Sequence, residues 1–151
     1  MAYLKPMLLF AGLALAGLTA CEAPMMRTDQ NVISLNANLN AAQEVPPNAS
    51  TGRGDATVTF TKSTKTLNWV VTYGGLSGPA TMAHFHGPAN MGTNAPVILP
   101  IANTPSTVTG SALLNDNQAA DLMAGKWYLN VHTAAFPGGE IRGQVLPATM
   151  R

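Results

Sequence analysis

Several stretches of this chain alternate apolar and polar residues, which is the period of a β-strand that buries one of its faces. The alternation is clear in ISLNANLN at 33–40, in ATVTFT at 56–61 and in LNWVVTY at 67–73. These stretches are also rich in β-branched or aromatic residues, which favour strands. The repeated pattern predicts an antiparallel sheet with one covered face.

Glycine, proline and small polar residues separate these stretches, as in PPNASTGRG at 46–54 and GGLSGPA at 74–80. Short strands with such turns between them indicate a β-sandwich or a β-barrel. One helix is expected in NDNQAADLMAGK at 115–126, with Asn115 or Asp116 as its N-cap and Gly125 as its stop. The fold class is therefore all-β, with one short helix. The expected core consists of Val58, Phe60, Leu67, Trp69, Val71, Trp127, Leu129 and Val131.

The last part of the chain reads as a hairpin, with KWYLNVHT at 126–133 and EIRGQVLP at 140–147 joined by AAFPGG. In the first of these strands the residues that alternate with the predicted core are Tyr128, Asn130 and His132. The short connection should make the two strand ends neighbours. We therefore expect Glu140 and Arg142 to lie near His132.

The N-terminus has the features of an export signal. Lys5 precedes the apolar run 7–18, which is too short to span a bilayer comfortably. The following LTAC resembles the lipobox of bacterial lipoproteins, in which the signal is cleaved before a cysteine that carries a diacylglycerol. This resemblance implies a signal peptide over residues 1–20 and lipidation of Cys21.

Residues 21–31 then form a polar tether, and residues 32–148 form a single domain. Lipidation would hold the protein at a membrane surface on the periplasmic side of the cell envelope. Glu22 follows the cysteine instead of the aspartate associated with inner-membrane retention, so we expect the outer membrane in a cell that has two.

Charge excludes some classes of partner. The chain has 8 basic and 7 acidic side chains, and cleavage of the signal would remove Lys5 and balance them. Nucleic acid binding needs a basic stripe for phosphate, and none is present. Cys21 is the one cysteine of the chain, so its lipidation leaves no thiol for a disulfide, a nucleophile or a metal.

Five stretches together resemble the CHRD, or chordin-type, domain: AAQEVPP (41–47), TMAHFHGPA (81–89), APVILPI (95–101), GKWYLNVHT (125–133) and FPGGEIRGQV (136–145). They occur in the order typical of that family. The resemblance implies an all-β sandwich of immunoglobulin-like or superoxide-dismutase-like type, found in secreted bacterial proteins. It implies less about activity, because many members have no assigned biochemical role.

All three histidines of the chain fall inside these motifs. His84 and His86 lie on one face of a strand with Cα atoms about 6.6 Å apart, so both rings can approach one ion at about 2.0 to 2.1 Å. His132 belongs to another strand of the same sandwich, which makes a site of three histidines plausible. Met82 continues the face of His84 and His86 and offers a thioether, although filling of the core is its ordinary role.

Imidazole ligands without thiolates suit copper first and zinc second. Asn130, Glu140 and Arg142 are candidates to orient His132 through its second ring nitrogen. Glu44 could be an outer acceptor or simply a polar residue before a turn. The alternative is that the histidines only form structural hydrogen bonds and that Glu140 and Arg142 form an exposed ion pair.

Three functions follow from these alternatives. The first is a lipid-anchored metal-binding module, with Met82, water or a second subunit of a homodimer completing the coordination. The second is a metal-free module that binds a protein or glycan partner. The third is a zinc hydrolase with three histidine ligands. No serine, lysine or aspartate motif for nucleophilic catalysis is evident, so the sequence favours binding over catalysis.

Overall fold

A computed structural model describes Met1 and residues 31–102 and 104–148. The predicted signal peptide, the lipidation site Cys21 and all but the last residue of the predicted tether lie outside the described residues. Within the described ranges, no helix is both long enough and apolar enough to cross a membrane.

The described chain forms eight strands and one α-helix. In chain order they are β1 (Val32–Asn40), β2 (Arg53–Thr61), β3 (Thr66–Gly74), β4 (Ala80–His86), β5 (Val97–Ile101), β6 (Thr107–Leu113), α1 (Asp116–Met123), β7 (Trp127–Thr133) and β8 (Ile141–Pro147). A 3-10 turn, Ala41–Gln43, follows β1. The strands form a single sheet in the order β5-β4-β7-β8-β1-β2-β3-β6. All the strand pairs are antiparallel and the sheet is nearly closed into a barrel, which confirms the all-β prediction.

The inner face of the sheet carries the core that the alternation predicts. All eight predicted core residues are buried. Trp69 on β3 packs edge-to-face against Phe85 on β4, with ring centroids 5.4 Å apart. Because neighbouring side chains of a strand point to opposite faces, this packing turns His84 and His86 to the outer face.

The predicted helix is present and its ends follow from its sequence. The Asn115 side chain accepts a hydrogen bond from Gln118 N, and the Gln118 side chain accepts one from Asn115 N. This reciprocal capping box makes Asn115 the N-cap. Gly125 follows the helix with a φ of 69°, a conformation that favours glycine.

The prediction that the sheet has one covered face is wrong for β7 and β8, since every residue of β7 and every residue of β8 except Leu146 is buried. The outer loops, residues 41–48 and 87–96, cover the second face. Arg142 Nη1 and Nη2 donate to Asn94 Oδ1 and Thr93 O, and Asn48 Nδ2 donates to Glu140 O. Alternation reports which residues are polar, and polar residues can face a hydrogen-bonding loop as well as solvent.

Candidate metal centre

The three histidines come together on the outer face of the sheet, where β4 pairs with β7. The register places His84 opposite Asn130 and Met82 opposite His132. One ring nitrogen from each of His84, His86 and His132 lies within 4.8 Å of the other two, and His84 Nδ1 is 3.1 Å from His132 Nε2. A cluster of this size can hold one metal ion.

Backbone carbonyls hold two of the rings from behind. His86 Nδ1 is 2.9 Å from Ala95 O, and His132 Nδ1 is 3.0 Å from Pro137 O. A carbonyl oxygen can only accept a hydrogen bond, so each ring carries a proton on Nδ1, and in the neutral ring the lone pair of Nε2 is free. Such a backing fixes the tautomer and orientation of metal-ligating histidines.

Asn130 lies between the same two rings. Its Oδ1 is 3.0 Å from His86 Nε2 and 2.9 Å from His132 Nε2, and the residue is buried. Asn130 therefore contacts the predicted ligands on the side where their lone pairs point.

The electrostatic environment favours the neutral imidazoles of His84 and His132. Burial lowers the pKa of His84, and repulsion from His132 and then from His86 lowers it further. Burial also lowers the pKa of His132, a hydrogen bond to Pro137 opposes the shift, and His86 adds to it. Neutral imidazole is the form that binds metal.

Glu140 does not contact His132 through its carboxylate. Its Oε1 accepts from Ser50 Oγ and Ser77 N, and its Oε2 accepts from Ser77 Oγ and Thr133 Oγ1. Burial acts to raise the pKa of Glu140, but these hydrogen bonds outweigh it and the pKa is lowered. The group at the second nitrogen of His132 is instead the carbonyl of Pro137.

Arg142 acts on the cluster only through another residue. Its guanidinium lies 3.4 Å above the ring centroid of Tyr128, and Tyr128 stacks on His86 with centroids 4.6 Å apart and planes 3° from parallel. Both Arg142 and Glu140 are buried, so the alternative of an exposed ion pair is wrong. Sequence reasoning gave no role to Tyr128, although its alternation with Asn130 and His132 placed it on this face.

Glu44 lies in the layer behind Asn130. The side chain is buried, with 6 % of its surface exposed, and its Oε1 has no hydrogen-bond partner. Burial raises the pKa of Glu44 to about 7, against the opposing effects of Arg142, of the Val45 backbone and of a hydrogen bond with Asn130. Glu44 is thus connected through Asn130 to His86 and His132.

Met82 lies at the solvent side of the cluster. It is 45 % exposed and is the register partner of His132. Its exposure argues against the core-filling role considered for it, and its place in the register leaves it beside the histidines.

Comparison with known families identifies one match. The CHRD domain family matches residues 35–145, which is most of the chain and includes all three histidines. No curated protein and no solved structure shows a significant match. The chain belongs to the CHRD domain family.

Proposed function

We propose that this CHRD-domain protein binds a single copper ion through His84, His86 and His132 at the surface of a bacterial membrane. The observation that carries the proposal is the convergence of three ring nitrogens within 4.8 Å, with two of the rings held from behind by carbonyls. Neutral imidazoles and the lack of a thiolate within the cluster favour copper, with zinc second.

The proposed location rests on the N-terminal sequence. LTAC at 18–21 has the pattern at which bacterial lipoproteins are cleaved and lipidated, and lipidation would place the domain on the periplasmic side of a membrane, the outer one in a two-membrane cell. There the domain would hold copper for storage or delivery. No nucleophile motif accompanies the cluster, so we propose binding and not catalysis.

The test is metal binding by the mature domain purified without a histidine tag. We expect one equivalent of copper per chain by elemental analysis, and titration calorimetry should give a dissociation constant below micromolar. Replacing all three histidines by alanine should abolish this binding and leave the circular dichroism of the sheet unchanged, because the core lies on the other face of β4 and β7.

Two results would contradict the proposal. One is a wild-type domain that binds neither copper nor zinc more tightly than tens of micromolar, and the other is a triple-alanine variant that binds as wild type does. Either result would make the histidines structural and leave the metal-free interaction module as the explanation. Tight binding of zinc with hydrolysis of a test ester would instead favour the zinc hydrolase.

The fourth coordination position separates a monomer from a dimer. If a ligand from a second subunit completed the shell, copper would convert the domain into a homodimer, which light scattering during the titration would detect. A monomer at one equivalent of copper would mean that the fourth ligand comes from the chain itself or from water.

A further inference from the structure

We infer that Asn130 Oδ1 is a fourth ligand of the metal, so that the centre has three nitrogens and one amide oxygen and selects Cu(II) over Cu(I). The inference rests on the proposed function, because it needs the three histidines to bind the same ion. It excludes Met82 as a necessary ligand.

The first argument is the number of protons available between the rings. The Nδ1 protons of His86 and His132 point at Ala95 O and Pro137 O, so in the neutral rings that bind metal Nε2 carries no proton. Even if His84 Nδ1 donates to His132 Nε2, no proton remains for the contacts of Asn130 Oδ1 with the two rings. In the tautomer of His84 that has no proton on Nδ1, four atoms with lone pairs converge, and a cation between them would satisfy all four.

The second argument concerns the orientation of the Asn130 amide. Oδ1 is the Asn130 amide atom that lies 3.0 Å from His86 Nε2 and 2.9 Å from His132 Nε2, and the hydrogen bond with Asn130 lowers the pKa of Glu44, as donation from the NH₂ group does, so that group faces Glu44. The Glu44 carboxyl group packs against Gly139, where a Cβ would lie 2.7 Å from Glu44 Cδ, so a larger residue would displace it. The amide oxygen is therefore held toward the cluster by a packed second layer.

The third argument is the spacing of the donor atoms. Asn130 Oδ1 lies 2.9 Å from His132 Nε2 and 3.0 Å from His86 Nε2, and His84 Nδ1 lies 3.1 Å from His132 Nε2. Ligands at about 2.0 to 2.1 Å from one ion, at angles between square and tetrahedral, are about 2.9 to 3.4 Å apart. These three distances, of the six among the four donors, fit the edges of one coordination shell.

The donor set then determines the class of cation. An amide oxygen is a hard ligand that suits divalent ions, whereas Cu(I) prefers soft sulfur donors. The thioether nearest in the strand register belongs to Met82. The Met82 side chain is 45 % exposed, whereas Asn130 is buried. A centre of three imidazoles and one amide oxygen therefore favours Cu(II), with Zn(II) as its closest substitute.

The test compares Asn130→Ala and Asn130→Asp with the control Met82→Leu. Competition titrations should show Cu(II) affinity reduced about 10- to 100-fold in Asn130→Ala, retained in Asn130→Asp and unchanged in Met82→Leu. Cu(I) affinity should change little in Asn130→Ala. The electron paramagnetic resonance spectrum of Cu(II) should change its parallel hyperfine splitting in Asn130→Ala, because water would replace the amide oxygen.

The outcomes separate this inference from the proposed function. If the wild-type domain and Asn130→Ala bind Cu(II) equally and give the same spectrum, while the triple-histidine variant does not bind, Asn130 is not a ligand and the three-histidine site stands. If the wild-type domain binds no metal, both ideas fail. A greater loss of Cu(II) in Met82→Leu than in Asn130→Ala would also overturn the inference.

A measurement on the wild-type protein covers the case in which the Asn130 variants do not fold. Addition of Zn(II) to labelled protein should shift the ¹³Cγ and ¹⁵Nδ2 resonances of the Asn130 side chain together with the histidine ring signals. Histidine signals that move while both Asn130 resonances stay in place would show that zinc binds without the amide oxygen.

Discussion

Glu44→Gln should make the metal-free protein more stable above neutral pH, by an amount that follows from the position of this carboxyl group. Burial raises the pKa of Glu44 from 4.5 to about 7 in the folded protein. An acid whose pKa is raised on folding binds more protons in the folded state, so stability falls as pH rises from about 4.5 to 7 and stays low above that. The shift corresponds to about 3 kcal/mol. Glutamine is neutral throughout and removes this dependence.

The assay is urea unfolding of both proteins in the presence of a chelator, at pH 4.5, 6 and 8. The free energy of unfolding of Glu44→Gln should exceed that of wild type by an amount that grows by about 3 kcal/mol from the lowest pH to the highest. The other titrating groups are the same in both proteins and cancel in this difference. Glu140→Gln is the matched control, because the hydrogen bonds that outweigh its burial lower its pKa. The Glu140 carboxylate stabilises the fold at pH values above its ordinary pKa, so Glu140→Gln should lower the free energy of unfolding most at pH 8. Parallel curves for Glu44→Gln and wild type, or a difference that grows toward acid, would refute the reasoning.

Four further predictions test the core, the packing, the centre and the N-terminus. Trp127→Ala should destabilise the domain by about 3 to 5 kcal/mol in urea unfolding, because the ring is buried; wild-type stability would contradict the face assignment. Gly110→Ala should cost about 1 to 3 kcal/mol, because its Cβ would lie 2.6 Å from Trp69 Cε2, whereas Gly74→Ala meets open space and should be neutral or stabilising. Copper affinity should weaken as the pH falls, and the part of the loss that comes from His84 and His132 should lie below pH 6.5, because the pKa values of both are lowered from 6.5; calorimetry that shows the main weakening already above pH 7 would contradict this. Cys21→Ser should release the protein from membranes with an unchanged thermal transition, and retention on membranes would count against lipidation.

The fold could be predicted well because its main determinant is local. Alternation of period two is a property of each strand by itself, and it assigned Phe60, Trp69 and Leu129 to the core correctly. The helix also carries its own signals, with Asn115 as N-cap and Gly125 after its end. Pro100 has no backbone N–H to donate to a neighbouring strand, and it lies in β5 at one edge of the sheet.

The candidate site could be predicted only in part, because its outer layers depend on contacts between distant segments. The spacing of His84 and His86 along one strand placed both on one face, and the structure brings His132 to them. The carbonyls behind the rings come from Ala95 and Pro137 in loops, and backbone groups leave no signature in side-chain composition.

Glu140 shows that closeness in sequence also fails to predict the partners of a side chain. The hairpin brought it close in sequence to the strand of His132, and Glu140 N does donate to Val131 O. Its carboxylate, however, binds Ser50, Ser77 and Thr133, two of which come from other parts of the chain. Short sequence separation thus predicted the backbone neighbour correctly and gave no information on where the side chain would find its hydrogen bonds.

The three histidines lie on the paired strands β4 and β7, so the packing of the core also determines where their rings point. His84 and His86 flank Phe85, whose ring is buried against Trp69, and His132 follows Val131, which is also buried. A shift of β4 by one residue would bring Phe85 to the outer face and both imidazoles into the apolar interior, which burial of polar rings without partners strongly opposes. The same hydrophobic contacts that pack the core therefore hold the three rings toward one point in the metal-free protein. This is the condition under which binding a metal requires little rearrangement of the protein.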